Sequence, residues 1–117
     1  MNLEEIHLFC LKKLGVTEEF PFDQSTLVFK VGGKIFALID IESATSINLK
    51  CDPEKAIQLR EEFEEIQPGF HMNKKHWNTV SLVDRLSQQQ IQEMISHSYN
   101  LVFNSLPKKV KHELENR

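Results

Sequence analysis

Lys74-Lys75-His76-Trp77 is the stretch whose residue types most directly suggest a chemistry. Lysine ammonium groups neutralise phosphates, and an exposed indole stacks on a nucleobase. Other side chains could join it from nearby strand patterns: Lys30 and Lys34 on either side of Gly32-Gly33, Asn48 and Lys50 in one alternating run, and Thr79 just beyond Trp77. If these strands align, Asn48, Lys50, Trp77 and Thr79 share a face, and Lys30 lies on the mixed face of its hairpin. Such a surface suits a nucleic acid. In the alternative arrangement Trp77 packs under a neighbouring loop and the lysines form a solvated turn.

Other chemistries find less support. Val31-Gly32-Gly33-Lys34 has the glycines of a phosphate loop but lacks its first glycine and carries Ile35 where Ser or Thr would hold magnesium. His71 and His76 are two ligands where a metal site needs three or four, so no metal or cofactor is expected. Cys10 and Cys51 both sit in buried-looking patterns, which argues against a nucleophile paired with His97 and for reduced thiols in a reducing compartment. No Ser/His/Asp order or close carboxylate pair stands out. The expectation is a binding protein without catalytic residues.

These residues need a scaffold, and the hydrophobic pattern outlines one. A helix capped by Asn2 and Glu5 carries Leu3, Ile6, Cys10 and Leu14 on one stripe, before Gly15. Gly32-Gly33 is a two-residue hairpin signal. A regular hairpin there pairs Val31 with Lys34, Lys30 with Ile35 and Phe29 with Phe36, placing Leu27, Phe29, Phe36 and Leu38 on one core face. Val28, Lys30, Ile35 and Ala37 would then lie opposite. Ser46–Cys51 alternates as a strand, Asp52-Pro53 opens a helix to about Glu62, and Trp77–Leu82 reads as another strand. Val80 and Leu82 share a face with Asn78, while Trp77 points away. Ser87 and Gln90 open a long last helix with Ile91, Met94, Ile95, Ser98 and Val102 inward. After Pro107, residues 108–117 read as a short basic tail, helical at most over its first turns.

The order is α-β-β-β-α-β-β-α, with room for a further short strand near Glu18–Phe22. It predicts an α+β domain: a mostly antiparallel sheet with helices on one face and the other partly open to solvent. The 117 residues suit a single domain, and 40% hydrophobic residues, eight of them Phe, suffice for a core. An acidic start without an apolar leader, and no apolar run near the roughly 18 residues of a membrane span, predict a cytoplasmic address away from membranes. The net charge of −3 argues against strong non-specific attraction to nucleic acid. Its distribution is uneven. Residues 1–65 hold 13 acidic and 7 basic side chains, whereas residues 66–117 hold 4 acidic and 7 basic.

Several segments together resemble the MmcQ/YjbR family: Phe20-Pro21-Phe22, Val28–Leu38 around the paired glycines, Ile47–Glu54, and above all Pro68-Gly69-Phe70-His71-Met72-Asn73-Lys74-Lys75-His76-Trp77-Asn78-Thr79-Val80. His97-Ser98-Tyr99 and Leu106-Pro107-Lys108-Lys109 follow at matching distances, so the resemblance spans residues 3–110. It implies a fold like that of the CyaY/frataxin group in a small bacterial cytoplasmic protein, and DNA as a partner contacted by paired β-hairpin wings. Two other readings stay open: a protein–protein adaptor or homodimerising module using the open sheet face, and a small-molecule binder on that face.

Overall fold

The computed structural model describes all 117 residues, and its helices begin where the sequence supplies caps. Helix α1 (Leu3–Leu11) starts on a capping box in which Asn2 Oδ1 accepts from Glu5 N at 2.8 Å and Glu5 Oε1 accepts from Asn2 N at 3.0 Å. Four strands follow: β1 (Val16–Glu19), β2 (Thr26–Val31), β3 (Lys34–Asp40) and β4 (Ser46–Lys50). Asp52 caps α2 (Pro53–Glu62), with proline at the first helical position, where the N–H it lacks would have had no partner in the helix. Strands β5 (Ile66–Pro68) and β6 (Trp77–Ser81) lead to α3 (Gln88–Ser105), opened by a second capping box of Ser87 and Gln90. Helix α4 (Lys108–Glu115) closes the chain.

The six strands form one antiparallel sheet in the order β1-β2-β3-β4-β6-β5. On one face Leu27, Phe29, Val31, Ala37, Ile39, Ile47, Leu49, Ile66 and Val80 join Ile6 and Cys10 of α1, Ile91, Ile95, Tyr99 and Val102 of α3, and Leu114 of α4 in a single core. All of the helices therefore lie on one side of an α+β domain, as the pattern predicts. Cys10 and Cys51 are buried free thiols, and burial pushes the Cys10 pKa up to about 12. No helix is long and apolar enough to cross a membrane.

The hairpin departs from the regular register. Val31 pairs with Lys34 and Lys30 with Ile35, but a bulge then pairs Phe29 with Ala37, Val28 with Leu38 and Leu27 with Ile39. Ala37, expected outside, is in the core, and Leu38, expected inside, lies on the opposite face with Val28. Phe36 is the extra residue of the bulge and stays fully buried, since a bulge lets two successive residues face one partner strand. The bulge also interrupts the β3–β4 ladder, which ends at Ala37 and Leu49. Ser98 fills the gap: its hydroxyl donates to Phe36 O at 2.5 Å and accepts from Lys50 N at 2.9 Å.

Residues 108–117 are not a tail. Helix α4 packs back on the sheet's edge through Leu114, 4% exposed, with Val110 partly buried beside it. Gly32 has φ +58° in the turn, and a Cβ there would meet Leu106 Cδ1 at 2.6 Å. The turn glycine thus also makes room for the chain entering α4.

His97 gives the fold a pH dependence. Its Nε2 accepts from Asp52 N at 3.2 Å, which requires the neutral ring. Burial and then the nearby Lys55 ammonium hold its pKa below the usual histidine value, against an opposing pull from Asp52. The unfolded chain therefore binds the proton more readily than the folded one. This contribution to stability is present above the unfolded value near 6.5 and is lost as pH falls below it. Urea midpoints measured from pH 7 down to pH 5 should fall, and His97→Gln should flatten that slope.

Candidate nucleic-acid interface

The sheet face away from the helices presents its side chains in rows fixed by strand pairing. Lys50 lies opposite Trp77, and Asn48 lies opposite Thr79. Val28, Leu38, Asn48 and Thr79 line up in one row across four strands, and Lys30 pairs with Ile35 on the β2–β3 side of the bulge. The alignment expected for Lys30, Asn48, Lys50, Trp77 and Thr79 is thus realised. Lys34 is not part of it. It pairs with the core residue Val31, so it occupies a helix-side position at the hairpin tip.

This face is a walled groove of about 700 Å³ rather than an open plane. Leu38, Asp40, Ser46, Asn48 and Thr79 form its floor, Asp23, Ser25 and Thr26 one wall, and Phe70, His71 and Met72 the other. Asn48 and Thr79 hold the second wall in place. Thr79 Oγ1 accepts from Phe70 N at 2.9 Å, Asn48 Nδ2 donates to Phe70 O at 3.4 Å, and the Thr79 hydroxyl donates to Asn48 Oδ1. His71 takes φ +59°, a left-handed conformation that histidine adopts more readily than most residues. Its ring lies 4.1 Å from that of Phe70, whose residue remains 67% exposed.

The basic candidates differ in how free they are. Lys30 is ion-paired with Glu19, and Lys74 Nζ donates to Gly69 O at 2.9 Å within its own loop. Lys75 is exposed in the turn before β6, and Lys50 is partly buried beside Trp77, with neither in an ion pair. His76 is partly buried, and its carbonyl accepts from Cys51 N at 2.8 Å, extending the β4–β6 pairing. Trp77 is partly buried, with Gly69 packed so closely that an added Cβ would meet Trp77 Cβ at 2.7 Å. Sequence reasoning leaves a choice between stacking and packing under a loop. Trp77 is neither fully exposed nor fully buried: Gly69 packs against its Cβ, and the residue keeps part of its surface open.

Arg60 is a positioning residue that the motif reading missed. From α2 its Nε donates to Asn78 Oδ1 at 2.7 Å, and Nη2 donates to Trp77 O at 3.2 Å and to Lys74 O. It ties the lysine turn to the helix side and satisfies Asn78, a polar side chain 2% exposed on the core face. Two signals pointed to it. Arg60 follows Ala56 by four residues and so shares the buried stripe of α2, and Asn78 alternates with Val80, so each needed a polar partner.

The charges of this face are separated. Asp23 and Asp40 line the groove, with no ion pair to either carboxylate, while Lys50 and Trp77 lie outside it, in the row next to Asn48 and Thr79. The backbone N–H groups of Thr26 and Ser25 hold the Asp23 pKa below the usual carboxylate range, keeping it charged.

Sequence and structure comparisons agree on the relatives of this chain. A family model described as YjbR matches residues 11–101. The chain is 41% identical over 91 residues to the uncharacterized protein YbdF of Escherichia coli O157:H7, covering 77% of this chain and 75% of that protein. It is 32% identical over 108 residues to the uncharacterized protein YjbR of Escherichia coli K12, covering 92% of each. A crystal structure of Deinococcus radiodurans protein DR2400, with family-model domain DUF419, superposes with a TM-score of 0.91 at 36% identity, covering 97% of this chain and 88% of that one.

Proposed function

The chain belongs to the YjbR family, and we propose that its groove-bearing sheet face binds nucleic acid, single-stranded in preference to duplex, without catalysing a reaction. The observation that carries this reading is the cross-strand pair of Lys50 and Trp77, partly exposed on the face opposite the helices, with Lys75 exposed in the adjoining turn. A cation beside an accessible indole supplies a phosphate contact and a stacking surface within one nucleotide's reach. Phe70, exposed beyond Asn48 and Thr79, offers a second aromatic surface. Unstacked bases of a single strand can present their faces to these rings, whereas a paired duplex hides them, hence the preference for single strands. The resemblance to a family associated with DNA binding points the same way.

Two free lysines make a modest electrostatic contribution. With two phosphates neutralised on a single strand, log affinity should fall against log salt with a slope of about −1.4. Lys75→Ala should weaken binding to all sequences alike and flatten that slope. A titration with labelled single- and double-stranded DNA at two salt concentrations tests the reading.

A second reading, a small-molecule binder, draws on the groove itself, whose volume falls within the roughly 300–1,000 Å³ typical of ligand sites. Its carboxylates would favour a cationic or amine-rich ligand.

A further inference from the structure

The two carboxylates are an obstacle to any reading in which phosphate enters the groove. Their placement gives them a different role. Lys50 and Ser46 lie on the same strand four residues apart, about 13 Å at strand spacing. Asp40 flanks Ser46 on the neighbouring strand, one step beyond the Leu38–Asn48 pair. A phosphate held at Lys50 is therefore more than a Debye length (about 10 Å at 0.1 M salt) from the acidic end, so repulsion is largely screened. That separation is also about the reach of a nucleotide from its phosphate to the far edge of its base.

The groove's polar inventory narrows what that edge must carry. Asn48 and Thr79 use their hydrogen bonds to hold Phe70 and are positioning residues rather than readers of a base. Asp23 is occupied by the N–H groups of Ser25 at 2.9 Å and Thr26 at 2.6 Å, and by the Thr26 hydroxyl at 3.1 Å. Asp40 accepts one donor on each oxygen, from Glu42 N at 3.0 Å and Ser43 Oγ at 3.2 Å, so each oxygen keeps accepting capacity. An ionised carboxylate can accept but cannot donate. It favours a base edge bearing an amine and repels one bearing a carbonyl in the same place.

Resting on the nucleic-acid reading, we infer that the groove is a base pocket selective for bases with an exocyclic amine. The strand's phosphates lie at Lys50 and Lys75, the base enters beside Phe70, and its amine donates to Asp40 with Ser46 adjacent. Cytosine N4 and adenine N6 fit this description, whereas uracil, thymine and guanine present a carbonyl at the corresponding position.

Oligo-dC and oligo-dU of equal length separate this idea from simple stacking, because both are pyrimidines and differ where cytosine has its amine. The wild-type protein should bind oligo-dC about tenfold more tightly, the worth of one charge-assisted hydrogen bond. Asp40→Asn keeps an oxygen for Glu42 N–H, and it should erase the preference from both sides, weakening oligo-dC and, with the repelling charge gone, strengthening oligo-dU. Ser46→Ala should reduce the preference, and Lys75→Ala should weaken both oligomers equally, with folding of each variant checked by circular dichroism. Equal wild-type affinity for the two oligomers overturns the base pocket and leaves the nucleic-acid reading standing. So does a preference that survives in both folded groove variants. Failure of both oligomers to bind at low salt removes the nucleic-acid reading and the pocket together.

Discussion

Phe36→Ala should lower the unfolding free energy by about 3–5 kcal/mol, the cost of deleting a large buried aromatic side chain. Phe36 is fully buried, with its ring edge-on to Tyr99 at 5.4 Å and tilted against Phe29 at 6.3 Å. Such ring pairs add to simple area burial. Its place in a bulge increases the sensitivity, because the bulge sets which of Ala37 and Leu38 faces the helices. A domain of this size has roughly 5–15 kcal/mol of stability in total, so the variant should lose a large share of it. Urea denaturation read by circular dichroism measures the loss. A change below about 1 kcal/mol would place Phe36 outside the packing that organises the hairpin.

Ser98→Ala should cost about 2–4 kcal/mol, which is large for removal of one oxygen atom. The hydroxyl bridges Phe36 O and Lys50 N where the bulge has opened the ladder, and Ser98 itself is fully buried. Without it a buried carbonyl loses its partner, at about 1–3 kcal/mol, and a partly buried N–H loses its own, at about 1 kcal/mol. Hydrogen exchange at the Lys50 amide gives a local readout, and protection there should fall well beyond the global change in stability. Unchanged protection would mean that water or strand closure replaces the hydroxyl without loss. Because Lys50 pairs with Trp77, the same variant should also loosen the proposed binding face.

The parts of this fold that follow local rules could be read from the residues in order. The capping boxes of Asn2 with Glu5 and Ser87 with Gln90, the Asp52-Pro53 start and the Gly32-Gly33 turn all depend on neighbours within four positions. The register failed three residues from the turn because a bulge is chosen by packing on the distant α3, where Ser98 stands ready to repair the ladder. The spacing places Ser98 on an apolar stripe, but its partners are 62 and 48 residues away. Helix α4 was missed for a similar reason. Its composition is polar except at Val110 and Leu114, and only docking on the turn glycines reveals those two as core contacts.

At the site, strand alternation placed Asn48, Lys50, Trp77 and Thr79 together, because a period of two and one open face leave little freedom. It could not show that Asn48 and Thr79 are engaged by Phe70, or that Lys30 and Lys74 are tied to Glu19 and Gly69. Lys30 meets Glu19 across the β1–β2 pairing, and the other contacts come from a loop whose path is set by the whole sheet. The groove walls belong to the same class. Phe70 and Asp23 come to line one groove only once the sheet has assembled.

Trp77 is the only tryptophan in the chain, so its fluorescence reports on the proposed contact without a label. The decisive measurement is a titration of the wild-type protein with single-stranded DNA, following Trp77 emission at about 50 and 200 mM salt. Stacking of a base on the indole should quench the emission, and with two phosphates neutralised the affinity should fall about sevenfold across that fourfold rise in salt. Saturable quenching with that salt dependence is the result expected for a nucleic-acid-binding sheet face. Emission that stays constant while other probes detect binding, or the absence of any binding at the lower salt, would contradict it.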